Sequence, residues 1–220
     1  MNKKLKFLFA SLITGTIFFT ATNIYAQAES SSNLKMAYSN LENNTGIEHI
    51  KISYPDNSYN EHWKDTNNLT ERTDTYDENG NLISSIFVLD KGSTVLNLIN
   101  ENGVVNGYSW TLPSEISSEN YKILKSSIFD DLKQSIESQI WKSQSLSKDS
   151  AKSYTSSNKK IYIDSQKITQ EVYDNGTLTR VEEYSKLTDT SSKTFNYNSK
   201  LKGSMIKQID APVGPIDAKG

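Results

Sequence analysis

The chain has 220 residues, of which 24 are basic and 26 acidic, and its formal net charge is −2. It contains no cysteine, which excludes disulfides, thiolate nucleophiles and cysteine-based zinc sites. Because Lys3, Lys4 and Lys6 are the only charged residues before Glu29, the rest of the chain is more acidic than the whole. An acidic surface argues against nucleic-acid binding and against electrostatic attachment to anionic lipid.

The first 28 residues have the pattern of an export signal. The three lysines precede an apolar run from Phe7 to Ala21, and the small residues Ala26 and Ala28 follow. This order predicts a secretory signal peptide at residues 1–28, with retention as an anchor as the alternative. We expect a secreted, extracytoplasmic protein that is not a lipoprotein, with one domain at 29–210 and a loosely held tail at 211–220.

The stretch after the signal predicts a short helix followed by an antiparallel meander. Leu34, Tyr38 and Leu41 have helical spacing, and turn residues such as Asn79-Gly80 and Asn102-Gly103 then recur every eleven or twelve positions. Asn-Gly is a strong hairpin signal because both residues tolerate positive φ. The predicted strands are Ile50–Tyr54, Tyr59–Lys64, Leu69–Tyr76, Leu82–Leu89, Thr94–Ile99 and Val104–Leu112.

A long amphipathic helix is predicted next, from about Ser117 to Leu146. Its apolar stripe comprises Tyr121, Leu124, Ile128, Leu132, Ile136 and Ile140, which recur every three or four residues and should pack on the sheet. The polar stretch Ser143–Asn158 is predicted to be a loop. Strands are then expected at Lys160–Asp164, Thr169–Tyr173, Thr177–Tyr184, Lys193–Tyr197 and Met205–Ile209.

The sequence offers little catalytic chemistry. His49 and His62 are its two histidines, and a metal site built on both is less plausible than two surface side chains. Acidic residues crowd the turn around Asp77 without the spacing of a calcium loop, and no nucleophile motif or phosphate-binding loop is present. We therefore expect a protein that is not an enzyme and that has no cofactor, no catalytic residue and no metal site.

The layout resembles the LolA-like lipoprotein-carrier superfamily, which includes RseB-type sensors and secreted relatives from Gram-positive bacteria. The resemblance rests on a short helix leading into Ile50–Tyr54, charged hairpins such as Glu61–Lys64 and Arg72–Tyr76, a helical insertion, and Lys160–Asp164 leading into Val181–Tyr184. It implies a half-open antiparallel barrel with helices in its mouth, and a concave face that holds an acyl chain or lipoprotein segment.

The expected fold is therefore α+β, an antiparallel meander curled into a half-open barrel with one long and one short covering helix. The expected function is non-enzymatic binding of a lipid, acyl chain or apolar peptide, with Phe87, Leu89, Leu96 and Leu98 as the ligand-binding residues, because their strands are apolar on both faces. The alternative is an extracytoplasmic interaction or sensor module without a small-molecule ligand. The expected partners are a lipid or lipopeptide and a membrane protein but no nucleic acid, and the oligomeric state is left open.

Overall fold

The computed structural model describes residue 27 and residues 29–144, 152–164, 166–188, 191–197 and 206–208. The expected export signal (apart from residue 27) and the expected tail at 211–220 lie outside the described residues. Within this part of the chain the protein combines one large β-sheet with helices, which confirms the predicted α+β class.

A single sheet of twelve strands organises the described residues. The strands are β1 Ile47–Ser53, β2 Tyr59–Asp65, β3 Thr70–Tyr76, β4 Leu82–Leu89, β5 Thr94–Glu101, β6 Val104–Thr111, β7 Lys142–Gln144, β8 Lys152–Thr155, β9 Lys159–Ile163, β10 Lys167–Asp174, β11 Thr177–Leu187 and β12 Ile206–Gln208. Their order in the sheet is β12-β6-β5-β4-β3-β2-β1-β11-β10-β9-β8-β7. The two end strands are not paired with each other, so the sheet curls without closing.

The helices are α1 at residues 29–43, α2 Ser114–Lys125, α3 Asp130–Ser138 and the short α4 Ser191–Thr194. The first of these confirms the predicted N-terminal helix and extends it, with Leu34, Tyr38 and Leu41 all buried. Helix α1 therefore contributes its predicted apolar stripe to the core.

Asn-Gly turns set the register of the hairpins. At the β5–β6 turn Asn102 has φ 53° and Gly103 has φ 84°, and the β10–β11 turn repeats this pattern with Asn175 at φ 48° and Gly176 at φ 81°. Two consecutive positive φ values are the requirement of a type I′ turn, whose twist matches that of paired strands. The hairpin positions predicted from these dipeptides are confirmed.

The main core lies on one face of the sheet, which we call the α1/α3 face. Its sheet residues include Ile50, Ile168 and Tyr184, which are directly paired across β1, β11 and β10. Helices α1 and α3 cover them with buried side chains such as Leu34 and Leu132. Burying this apolar surface is the dominant favourable term in folding.

The predicted continuous helix from Ser117 to Leu146 is wrong, because the chain forms two helices with a break between Ser126 and Phe129. Ser126 is extended, with ψ 153°, and its hydroxyl donates a hydrogen bond to the Ile123 carbonyl (2.7 Å). Glu48, from the sheet, then accepts hydrogen bonds from the Ser127 hydroxyl and the Ile128 backbone N–H, both at 2.9 Å. A tertiary contact therefore fixes the break.

The predicted apolar stripe needs correction at both ends. Leu132 and Ile136 are buried as expected, but Tyr121 is 37% and Ile140 is 69% exposed. Helix α3 ends before Gln139, which has an extended conformation (φ −114°, ψ 156°). Helical spacing no longer applies beyond that residue, and Trp141 enters the core instead with 0% exposure.

Three further expectations about secondary structure fail. Strands β7 and β8 lie in the stretch expected to be a loop (Ser143–Asn158), because backbone pairing and the burial of Tyr154 outweigh its polar composition. The expected strand at Lys193–Tyr197 instead begins within α4. Strand β12 pairs in parallel with β6, so the sheet is not wholly antiparallel.

Candidate functional site

The four residues predicted to bind a ligand lie together in the structure. Phe87 on β4 is directly paired with Leu96 on β5, and Ser85 is paired with Leu98 in the next row of the same face. Leu89 lies two residues beyond Phe87 on β4 and therefore shares this face. Phe87, Leu96 and Leu98 are 0%, 2% and 1% exposed, whereas Leu89 is half-buried.

This face is opposite to the one covered by α1 and α3. The register runs from Ile50 through His62 and Thr73 to Ile86, so Ile86 is on the α1/α3 face and its neighbour Phe87 is on the other. We call the second face the α4 face. The predicted site residues thus belong to a separate apolar cluster and not to the main core.

The cluster on the α4 face contains residues that the sequence did not indicate. Ile47 and Trp63 join it from β1 and β2, and Phe195 joins it from the segment after α4. Tyr197 meets the Phe87 ring edge-on, with 6.0 Å between ring centroids. The sequence marks both Trp63 and Phe195 as aromatic residues of predicted strands, a pattern that ordinary sheet packing also produces.

Residues 191–197 form the described cover of this cluster. Phe195 and Tyr197 contact its apolar side chains, and the Thr194 carbonyl accepts a hydrogen bond from Arg72 Nη1 at 2.7 Å. The Arg72 guanidinium carbon lies 4.3 Å from the centroid of the Trp63 ring, a distance at which cation–π attraction operates. Arg72 therefore links the cover to the sheet.

A buried carboxylate holds Arg72 in position. Asp74 is 0% exposed. It accepts one hydrogen bond from Arg72 Nε at 2.9 Å, a second from Nη2, and a third from the Tyr76 hydroxyl at 3.0 Å. Burial and the Asp74 carboxylate raise the pKa of the Tyr76 hydroxyl above its ordinary value. The phenol therefore stays protonated and keeps donating this hydrogen bond at neutral pH.

The two histidines lie on opposite faces of the sheet and cannot share a metal ion. On the α4 face His49 is stacked on Trp63, with centroids 5.0 Å apart, and its Nε2 is 3.5 Å from a Glu61 carboxylate oxygen. On the α1/α3 face His62 Nε2 is 2.8 Å from a Glu71 carboxylate oxygen. No group of three or more potential metal ligands occurs among the described residues.

Glu71 shows how polar groups on the α1/α3 face are satisfied. Burial by itself would raise the pKa of this carboxyl, but hydrogen bonds and charge attraction from His62 and Lys64 outweigh burial and lower it. Lys64 also donates a hydrogen bond to the Ile123 carbonyl at 2.9 Å. These contacts fasten α2 to the sheet, so we assign this group a structural role.

No family model matches this sequence, and no curated protein matches it either. One similar solved structure is described as an uncharacterized conserved protein from Thermus thermophilus. It is 7% identical, with a TM-score of 0.41, and the alignment covers 80% of this chain and 99% of that one. A similarity of this size indicates neither the fold nor the function of the present chain.

None of the helices in the described part of the chain combines the length and the apolar composition that a membrane span requires.

Proposed function

We propose that the protein is an extracytoplasmic binding protein that holds a lipid, an acyl chain or an apolar peptide on the α4 face. Phe87, Leu89, Leu96 and Leu98 would contact the ligand. In this proposal the curled sheet acts as a half-open barrel of the LolA-like type, and residues 191–197 act as a cover that the ligand displaces.

A short described cover on an apolar cluster carries the proposal. Phe87, Leu96 and Leu98 are almost completely buried, yet the described chain over them is a seven-residue segment with a single four-residue helix, α4. A short segment with few buried side chains opens at a lower free energy than the core of a domain. Opening it would expose contiguous apolar surface, which usually marks a binding site.

Arg72 joins the cover to the sheet through a hydrogen bond that must break when the cover opens. Its side chain donates to Asp74 and to the Thr194 carbonyl, so one of its hydrogen bonds belongs to the cover while the others belong to the sheet. Displacing the cover breaks the first without disturbing the buried pair. The site would then keep its shape while the cover moves.

A titration with a fluorescent fatty acid tests the proposal. We expect saturable binding to the folded protein and a large loss of affinity in Leu96→Glu, which places a charge in the cluster. Ile86→Glu is the matched control, because Ile86 lies on the adjacent strand, faces the other way and is 41% exposed. The milder Leu96→Thr serves if Leu96→Glu loses its folded circular-dichroism spectrum.

The cover can be followed directly because the chain has no cysteine. A single Asn196→Cys carries a spin label on the exposed side of the cover. We expect its mobility to rise when the probe binds. Absence of saturable binding, or equal losses in Leu96→Thr and Ile86→Glu, contradicts the proposal and favours an interaction module without a small-molecule ligand.

A further inference from the structure

A second candidate site lies at the end of the β4–β5 hairpin, where the connecting turn packs against α2. The groove between them has a volume of about 490 Å³ and is lined by Lys91, Ser93, Ser117, Ser118, Tyr121, Lys122 and Lys125. We call it the lysine groove. Three of its seven lining residues are cationic and none is acidic.

The backbone of this turn is unusual. Asp90 and Lys91 have φ values of 50° and 58°, and Gly92 follows with φ 94°. Left-handed conformations at two consecutive residues other than glycine carry strain that the surrounding structure must hold. A Cβ on Gly92 would lie 3.1 Å from the Asn120 Cβ and 3.2 Å from the Tyr121 backbone nitrogen. The turn is therefore pressed directly on the helix, which brings Lys91 to α2.

The lysines of the groove form no ion pair within the described part of the chain. None of the ion pairs found among the described residues includes Lys91, Lys122 or Lys125. Glu119 precedes Lys122 by one helical turn, but it does not line the groove and forms no ion pair with Lys122. The overall charge of the chain is negative, so these three lysines form a local concentration of positive charge.

The lysines of the groove lower the pKa of the Tyr121 hydroxyl. The Lys125 Nζ lies 4.4 Å from the centroid of its ring. The hydrogen bond and charge of Lys125, together with the charge of Lys91, lower the pKa of the Tyr121 hydroxyl. The serine hydroxyls donate to backbone carbonyls: Ser93 to Asp90, and Ser117 and Ser118 to Ser114. The attraction for an anion must therefore come from the ammonium groups.

We propose that the lysine groove binds an anion with closely spaced phosphate groups. Lysine ammonium groups bind phosphate as compact point charges, and the groove has three of them in its lining. Three separate ammonium groups and a volume of about 490 Å³ suit an oligophosphate better than a single phosphate ion. The site is independent of the apolar cluster on the α4 face.

Calorimetric titration with inorganic tripolyphosphate at low ionic strength tests this site. We expect saturable binding that weakens at least about tenfold in the double variant Lys91→Gln/Lys122→Gln, because two charge-assisted contacts are lost. The control double variant Lys133→Gln/Lys152→Gln removes the same charge from exposed positions elsewhere and should bind within about twofold of the wild type. All of these lysines are exposed, so the variants should fold normally.

Vesicle sedimentation identifies the source of the phosphate. Binding to phosphatidylglycerol vesicles but not to phosphatidylcholine vesicles, lost in the groove variant and reversed by tripolyphosphate, assigns the groove to lipid headgroups. No vesicle binding, with tripolyphosphate binding intact, assigns it to a soluble oligophosphate. The proposal is overturned if the wild type does not bind tripolyphosphate, or if the control variant loses as much affinity as the groove variant.

Discussion

Removing the Glu48 carboxylate should destabilise the protein more than any change at an exposed acidic residue. Glu48 is 4% exposed, and it accepts hydrogen bonds from the Ser127 hydroxyl and the Ile128 N–H in the segment between α2 and α3. The Lys186 ammonium lies 3.5 Å from the same carboxylate. One side chain thus holds the segment between α2 and α3 and pairs with a mostly buried cation.

The structure gives the magnitude of the effect. In Glu48→Ala the Ile128 N–H loses its acceptor, and Lys186, with 11% side-chain exposure, loses its counter-ion. Breaking a buried pair by removing one partner costs about 3–5 kcal/mol, and the remaining access of Lys186 to water favours the lower end. Glu48→Gln also removes the charge that faces Lys186, but its amide oxygen still accepts one hydrogen bond, so we expect a smaller loss than in Glu48→Ala.

Urea unfolding followed by circular dichroism measures these changes in the free energy of unfolding. Glu119→Ala is the matched control, because Glu119 is exposed on α2 and should change the stability by less than about 0.5 kcal/mol. If Glu48→Ala cost no more than Glu119→Ala, the interhelical break would not depend on this contact.

Three further predictions concern the core and its pH dependence. Leu132→Ala should cost about 2–5 kcal/mol and Ile140→Ala less than about 0.5 kcal/mol, because their exposures are 0% and 69%; equal urea midpoints would contradict this. Trp141→Ala should cost about 3–5 kcal/mol, since Trp141 is 0% exposed, and an unchanged midpoint would place it outside the core. The pKa of the Glu182 carboxyl is lowered below its ordinary value of 4.5. Burial by itself would raise this pKa, but the hydrogen bonds from Tyr184 and Arg180 outweigh burial. A depressed folded-state pKa stabilises above the unfolded pKa, so the stability advantage of the wild type over Glu182→Gln should be full at neutral pH and shrink as the pH falls below 4.5; a constant difference across that range would refute this.

Local sequence patterns correctly predicted the elements whose structure depends on residues close in sequence. The bounds of β4 are those predicted, and Asn102-Gly103 forms the expected type I′ turn. The pairing of β4 with β5 across their short turn also places Phe87, Leu96 and Leu98 on one face. These features depend on residues close in sequence, whose conformational preferences can be determined without knowing the rest of the chain.

The misplaced elements depend on partners far apart in sequence. The break after α2 is fixed by Glu48, which lies 79 residues before Ser127, so helical spacing alone could not reveal it. Tyr154 is buried in a stretch whose composition is typical of a loop, because β8 pairs with β9 and packs in the main core. Phe195, which follows α4, was placed in a predicted strand for the same reason. The conformation of residues 191–197 depends on their contacts with the sheet and not on a local sequence pattern.

The unequal cover of the two faces gives a physical reason for placing ligand exchange on the α4 face. On the α1/α3 face, opening would separate α1 and α3 from residues such as Trp141 and Tyr154, both at 1% exposure or less, and would cost much of the stability of the domain. On the α4 face, the described cover contributes Phe195, Tyr197 and the hydrogen bond from Arg72 to Thr194. These described contacts are separate from those of the main core, so the cover can open while the rest of the sheet stays folded. If the α4 face binds an apolar ligand, exchange is therefore compatible with a stable fold, because the contacts broken are separate from the main core.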